Sequence, residues 1–318
     1  MSEFNLIKQH FARPTRHTNL GVGDDAALIS VAAGMELAIS ADMLVAGTHF
    51  FADADPYQIG WKSLAVNVSD MAAMGAKPKW VTLAIALPDN NPQWLTAFSR
   101  GFFACASEFD VDLIGGDTTR GPLNICVQIM GEVPVGKAIK RSGASVNDEI
   151  WVSGLLGNAA LALAHIQKKI SLPEDVFAIC ATALHAPQAR VALGLSLRNI
   201  AHSAIDISDG LLADLGHILD ASNVGASIKL ANIPHSEYVT HDMLLDKNII
   251  KRILAGGDDY ELCFTAPVNK HAEIIALSQQ LALPLTCIGH ITQNTGLVIN
   301  GLNNEIMDIK DTGFDHFN

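Results

Sequence analysis

Residues 61–78, WKSLAVNVSDMAAMGAKP, constrain this chain more than any other stretch. Read as a helix, they set Ser63, Asn67 and Asp70 at i, i+4 and i+7, one polar stripe. Leu64, Val68 and Met71, one position on, form an apolar stripe beside it. Asp55 suits the cap, Pro56 the first turn and Gly75 the C′ position, while Pro78 blocks continuation. LAVNV alone would also suit a strand, but the length and the caps favour a helix. A single carboxylate on a mainly uncharged face of an Ala- and Met-rich helix marks Asp70 as a functional candidate. Taken by itself it equally suits a surface position near a helix end.

At 318 residues the chain is long enough for two domains, and about half of it is apolar. The net charge of −12 argues against a nucleic-acid or anionic-membrane surface, which calls for a basic patch. An acidic protein that handles phosphates needs cations to join the two. Cys105, Cys126, Cys180, Cys263 and Cys287 lie far apart without zinc-ligand spacing, as expected of buried free thiols in a reducing cytoplasm. MSEFNLIKQHF lacks the apolar core of a signal peptide, and residues 150–166 are too short and too interrupted to span a bilayer. A cytoplasmic protein is expected.

Residues 5–12 read as a short helix, GVGDDAALISV as a turn into a strand, and MELAISADML as a strand ending on Asp42. A loop with His49 follows. WVTLAIALP is a strand, residues 92–109 a helix, VDLIGGDTTRG a strand breaking into a glycine turn, and LNICVQIMGEV a strand. Composition shifts over residues 134–148, so domains 1–137 and 138–318 are expected. In the second, EIWVSGLLGNAALALAHIQ and SAIDISDGLLADLGHILDAS each read as strand, turn and helix. Residues 173–194 are helical with a break at Pro187, and GGDDYELCFTAP is a turn into a strand. Ser69-Asp70 followed by Gly-Gly-Asp117 is echoed by Ser208-Asp209 followed by Gly-Gly-Asp258, at intervals of 47 and 49 residues between the aspartates. The echo hints at related α/β halves.

The aspartates carry the chemistry. Asp24 and Asp25 follow a glycine turn, Asp42 a strand, Asp117 and Asp258-Asp259 a Gly-Gly pair, and Asp206 and Asp209 flank a strand–helix junction. Carboxylates at strand ends and glycine turns converge on one edge of an α/β sheet, where ligands sit. So many would repel one another without cations, and oxygen donors of this kind suit Mg²⁺ bridging to substrate phosphates. Singly, Asp24, Asp214 or Asp259 reads as a cap or turn residue. The glycine turns bring backbone N–H groups close to an anion, and the helix starting near Gly210 offers its N-terminus to a phosphate. GEVPVGKA at 131–138 approaches a phosphate-loop motif but has Ala138 in place of Ser or Thr, and we reject it. Arg120 and Arg141 suit phosphate oxygens, or a surface ion pair. His49 lies near Asp42 without a nucleophilic triad, and no Ser stands in a GxSxG elbow.

GVGDDAAL, AISADMLVAGTHF, KSLAVNVSDMAAMGAKP, GGDTTRGP, KRSGA, IDISDGLLADLGHI and GGDDYELCFT occur in that order. Together they resemble the thiamine-monophosphate kinases, end to end, down to the closing GFDHF. The wider superfamily holds aminoimidazole ribonucleotide synthetase, selenophosphate synthetase and a carbamoyl-dehydrating hydrogenase maturation factor. The resemblance implies a two-domain α/β (α+β) fold like that of aminoimidazole ribonucleotide synthetase, with the N-terminal sheet forming a homodimer and a C-terminal α/β domain completing the active site. It implies ATP-dependent, Mg²⁺-assisted phosphorylation of thiamine monophosphate to thiamine diphosphate. By the family pattern, Asp25, Ser40, Ala41, Asp42, Asp70, Asp117, Asp206 and Asp209 hold several Mg²⁺ ions. Gly116, Asp117, Arg141 and Ser208 contact ATP, and His49, Asp258 and Phe314 contact thiamine monophosphate.

Three positions depart from the pattern. Asp258 stands where Glu is common, Ala41 where Thr is common (its backbone carbonyl still serves as a ligand), and Phe314 where a Trp or polar-tipped aromatic occurs. No residue stands out as a nucleophile, so direct in-line transfer is expected. The cysteines are not placed as in selenophosphate synthetases, and DHFN lacks the terminal Cys of the carbamoyl-dehydrating factor. A non-catalytic nucleotide-binding regulator is the rival of another class, and it would not need the full aspartate set.

Overall fold

The computed structural model describes residues 3–309 and 313–314. Contacts divide the chain into two compact units, Met1–Met71 with Ala76–Ala138, and Ala72–Gly75 with Ile139–Asn318. The first contains α1 (Glu3–His10), β1 (Met35–Val45), most of α2 (Pro56–Ala73), β2 (Lys77–Leu87), α3 (Pro92–Glu108), β3 (Asp112–Arg120) and β4 (Asn124–Pro134). Its sheet has the order β1-β4-β2-β3, antiparallel except for the parallel β2/β3 pair.

The ends of α2 follow from its sequence. Asp55 Oδ1 accepts the N–H of Tyr57 at 2.7 Å. At the other end Gly75 adopts φ +61°, and the N–H of Ala76 donates to the Met71 carbonyl at 2.8 Å, closing a Schellman motif. Alternation along the strands buries Val81, Leu83, Ile85 and Leu87 of β2 with Ile125, Val127 and Ile129 of β4. The other face of β1 is apolar and open: Ile39 is 55% and Met43 54% exposed. The register sets them beside Met130 and Cys126 of β4.

Three expectations are corrected. β1 continues past Asp42 to Val45, because β4 pairs with it along its whole length. β3 does not break at Gly115-Gly116; a register shift at Val81/Thr82 carries it through. Gly116, at φ +145°, passes so close to β2 that a Cβ would lie 1.8 Å from the Leu83 carbonyl oxygen. GVGDDAALISV forms no strand, because its pairing stops at two isolated bridges, Leu28 with Leu20 just before the segment and Val22 with Asp24 within it.

The second unit contains β5 (Glu149–Ser153), α4 (Asn158–Ile166), α5 (Glu174–His185), α6 (Val191–Leu197), β6 (Ser203–Asp206) and α7 (Leu211–Ser222). β7 (Gly225–Lys229), α8 (Lys247–Ala255), β8 (Leu262–Ala266), α9 (His271–Leu281), β9 (Leu285–Thr292), β10 (Gly296–Asn300) and the short β11 (Ile306–Met307) complete it. Its mixed sheet has the order β11-β10-β7-β9-β5-β8-β6. Pro187 falls between α5 and α6, where its missing N–H and ring would break a continuous helix. Leu211, Leu215, Ile218 and Leu219 of α7 are buried, as their spacing predicts. Trp151 and Phe264 stack in a fully buried pair, centroids 6.4 Å apart. All five cysteines are free; Cys126 and Cys287 are only half-buried, because each sits on a strand with one face less covered. Among the described residues no helix is long and apolar enough to cross a membrane.

The backbones of α2 and α3 touch. A Cβ on Gly101 would lie 1.9 Å from the Tyr57 carbonyl oxygen, and one on Gly60 2.1 Å from that of Phe98. Gly101→Ala gains about 1 kcal/mol of helix propensity. The helices must nevertheless separate, an overpacking cost of about 3 kcal/mol. A net loss of about 2 kcal/mol is expected, read as a lowered urea midpoint at unchanged slope.

Candidate active site

The candidate residues form three groups, two in the first unit and one in the second. In the first group the polar stripe of α2 docks on β1. Ser63 and Asn67 are fully buried, so each polar atom needs a partner. Ser63 Oγ donates to the Gly60 carbonyl at 2.9 Å and Asn67 Nδ2 to the Ser63 carbonyl at 3.0 Å. Asn67 Oδ1 accepts the Asp42 N–H at 3.1 Å. One turn on, Asp70 Oδ2 accepts the Ser40 hydroxyl at 2.6 Å. The stripe thus gathers Ser40, Asp42 and Asp70. Ala41, between them, points to the open face. Beyond β1, His49 Nδ1 accepts the Val45 N–H at 3.0 Å, which leaves Nε2 to carry the ring proton of the neutral imidazole.

In the second group Asp25, Gly116 and Asp117 line a cavity of about 590 Å³ together with Asp24 and Thr118. The register sets Asp117 beside Ala84, and Ala84 beside Cys126, which pairs with Met43. Asp117 therefore lies on the open face, opposite to Ser40 and Asp42. The sequence lists these residues as one set; the pleat separates them into two.

The third group surrounds the turn between β6 and α7. Asp206 is buried at the end of β6, and Ser208 and Asp209 are half-buried in the turn. The Ser208 carbonyl accepts the N–H of Asp258 at 2.8 Å, and the Asp209 carbonyl that of Phe314 at 3.1 Å. Four of the predicted residues are thereby tied together through main-chain bonds. Arg141 is exposed in the segment before β5, where its carbonyl accepts the Ser222 hydroxyl at 3.3 Å and the neighbouring Lys140 carbonyl accepts the Ala204 N–H of β6. Residues 315–317 of the closing GFDHF lie outside the described residues.

The helix N-termini correct one expectation. The N–H groups of Ser208, Asp209 and Gly210 are not open to a phosphate, because Asp214 Oδ2 accepts all three at 3.0–3.1 Å. Burial pushes the Asp214 carboxyl up to about 7, against the pull of these donors. The N–H of Gly157, which opens α4, is likewise held by both oxygens of Asp259, at 3.0 and 2.9 Å. Both helix ends are filled by internal carboxylates.

Residue-by-residue reading missed the support behind Asp258. Glu261 is buried and pairs with Arg190, whose Nε donates to Oε2 at 2.7 Å and whose Nη2 donates to Oε1. Ser153 Oγ donates to the same Oε2 at 2.6 Å. Removing one partner of such a buried pair costs about 3–5 kcal/mol. Tyr260 Oη donates to Asp258 Oδ1 at 3.2 Å. The alternation of GGDDYEL, with Asp259 and Glu261 held inside, was the available signal. Among the described residues no three His, Cys, Asp or Glu side chains stand grouped as a metal site.

Comparison with known proteins covers both units of the chain. Residues 23–133 match the N-terminal domain of AIR synthase related proteins, and residues 142–301 match their C-terminal domain. The thiamine-monophosphate kinase of Escherichia coli (strain K12) is 44% identical over 324 residues, covering 99% of this chain and 98% of the relative. The crystal structure of thiamine-monophosphate kinase from Stenotrophomonas maltophilia K279a superposes with a TM-score of 0.85 at 44% identity, over 94% of this chain and 95% of that one. The structure of AaThiL complexed with AMPPCP and TMP gives 0.78 at 27% identity, over 99% and 96%. This chain belongs to the thiamine-monophosphate kinase family, built from the two AIR synthase related domains.

Proposed function

We infer that this protein transfers the γ-phosphoryl group of ATP to thiamine monophosphate, giving thiamine diphosphate and ADP. The observation that carries the reading is the 44% identity, across essentially the whole length, to a thiamine-monophosphate kinase. The AaThiL complex, with an unreactive ATP analogue and TMP bound together, supports the pairing of substrates.

The acceptor brings its own nucleophile, a phosphate oxygen, so the chain has to align two anions and needs no covalent intermediate. We assign Gly116, Asp117, Arg141 and Ser208 to ATP. His49, Asp258 and Phe314 we assign to thiamine monophosphate. His49 offers its Nε2–H as a donor, and Phe314, half exposed, offers a ring face to an aromatic ligand. Asp258 is a shorter acceptor than the Glu common at this position.

The donors left for metal are all oxygens: Ser40 and Ala41 with Asp42 and Asp70, Asp25 with Asp117, and Asp206 with Asp209. This hard set fits Mg²⁺. Bound there, Mg²⁺ supplies the charge neutralisation that lets the two phosphates approach. The acidic chain, with net charge −12, fits nucleotide and thiamine phosphate brought in by cations and not a nucleic-acid or membrane partner. We place the reaction in the cytoplasm with its supply of ATP.

The reading is tested by incubating the protein with ATP and Mg²⁺ and separating products by chromatography, with free thiamine as a parallel acceptor. One thiamine diphosphate per ADP from the monophosphate, and none from thiamine, is the expected result. Nucleotide binding without product would favour the regulator.

We also propose a homodimer formed through the open face of the first sheet. The exposed apolar side chains of Ile39 and Met43 on this face suit burial against a second copy better than water. Sedimentation should give a dimer for the wild type and a folded monomer for Ile39→Lys; a dimer in both would remove this face from the interface.

A further inference from the structure

The turn between β6 and α7 bonds in two directions. Its N–H groups, from Ser208, Asp209 and Gly210, converge on the single oxygen Asp214 Oδ2. Its carbonyls point the other way: Ile207 accepts the N–H of Tyr260 at 2.8 Å, Ser208 that of Asp258 at 2.8 Å and Asp209 that of Phe314 at 3.1 Å. Glycines close the packing, since a Cβ on Gly257 would lie 2.5 Å from the Ser208 carbonyl oxygen and one on Gly313 2.9 Å from that of Asp209. Asp214 itself is 2% exposed and one turn into α7, whose first flanking residue, Gly210, has no side chain with which to cap the helix.

The residues hung from this turn are strained. Asp258 has φ +70° and Tyr260 φ +50°, both in the left-handed region and neither a glycine. Such conformations persist only where the surroundings over-determine them, and they concentrate at functional sites. Here the surroundings are the carbonyls of 207 and 208, whose orientation is set by the N–H groups bound to Asp214. A peptide plane links each carbonyl to the next residue's N–H, so fixing the N–H of 208, 209 and 210 fixes the carbonyls of 207, 208 and 209.

We propose that Asp214 is a positioning residue that holds the acceptor-side residues Asp258 and Phe314 in register with Ser208 on the nucleotide side and with Asp209 among the metal donors. It touches neither substrate and acts wholly through the turn. The inference rests on the kinase reading for the roles of the residues it holds, while the turn geometry stands apart from that reading.

The test uses the full-length protein and two variants, each checked for folding by circular dichroism. Asp214→Asn keeps one acceptor oxygen; Asp214→Leu keeps the approximate size and keeps none. At saturating ATP, KM for thiamine monophosphate is expected to rise about tenfold in Asp214→Asn and about a hundredfold in Asp214→Leu, the scale of a misplaced binding group. A folded Asp214→Asn enzyme with the wild-type KM, whatever its melting temperature, would overturn the proposal. Should Asp214→Leu not fold, Asp214→Asn alone decides.

Amide hydrogen exchange of the wild type and Asp214→Asn supplies a readout independent of activity. Faster exchange in 207–210 and 258–260 together is expected. Acceleration confined to 207–210, or none, contradicts the coupling. Were the wild type to make no thiamine diphosphate, the kinase reading would fall and the exchange result would still decide the role of Asp214.

Discussion

A polar group taken out of water must find a partner inside the protein, and that requirement organises both units of this chain. Along α2, burial of Ser63 and Asn67 obliges the helix to dock on β1, where the Asp42 N–H supplies what Asn67 lacks. The docking brings Asp70 to Ser40 as a consequence. In the second unit the same demand is met by buried carboxyl groups, two accepting main-chain N–H groups and one accepting side-chain donors. Asp214 holds three N–H groups, Asp259 holds that of Gly157, and Glu261 holds Arg190 and Ser153. Each of these buried carboxyl groups ties down a segment that carries candidate site residues, Asp214 the turn at 208–209 and Asp259 and Glu261 the stretch that begins at Asp258.

This economy has a chemical consequence. A phosphate-handling α/β protein often receives its anion on the N-terminus of a helix. Here the starts of α4 and α7 already hold internal carboxylates, and the surrounding residues are acidic. In the function we propose, phosphate recognition falls instead to cations carried by the remaining aspartates. Those aspartates are dispersed over two faces of one sheet and one turn of the other unit, with no group of three standing ready among the described residues. In our account the phosphates of the two substrates complete the metal coordination.

Much of this was legible in the sequence, and the failures have physical causes. The caps and stripes of α2 are local, so Asp55, Gly75 and the i, i+4, i+7 spacing disclose the helix. Alternation in WVTLAIALP and LNICVQIMGEV discloses two central strands for the same reason. Gly115-Gly116 misleads because a glycine admitting close approach of a neighbouring strand and a glycine making a turn look alike in one dimension. The separation of Asp117 from Ser40 and Asp42 follows from pleat and register, including the shift at Val81/Thr82, which no local pattern announces. Asp214 was readable as a cap; its hold on Asp258 and Phe314 passes through carbonyls of a turn that only the folded chain brings beside residues far along the sequence.

The central claim, that substrate phosphates complete cation sites which the protein alone leaves open, is tested most directly by equilibrium dialysis. Mn²⁺ as a probe for Mg²⁺ would be dialysed against the protein with and without the unreactive ATP analogue AMPPCP. The account expects weak Mn²⁺ binding to the protein alone and, with the analogue, tight binding of more than one ion per protomer. Tight binding of the analogue without Mn²⁺, or Mn²⁺ binding that the analogue leaves unchanged, would contradict it.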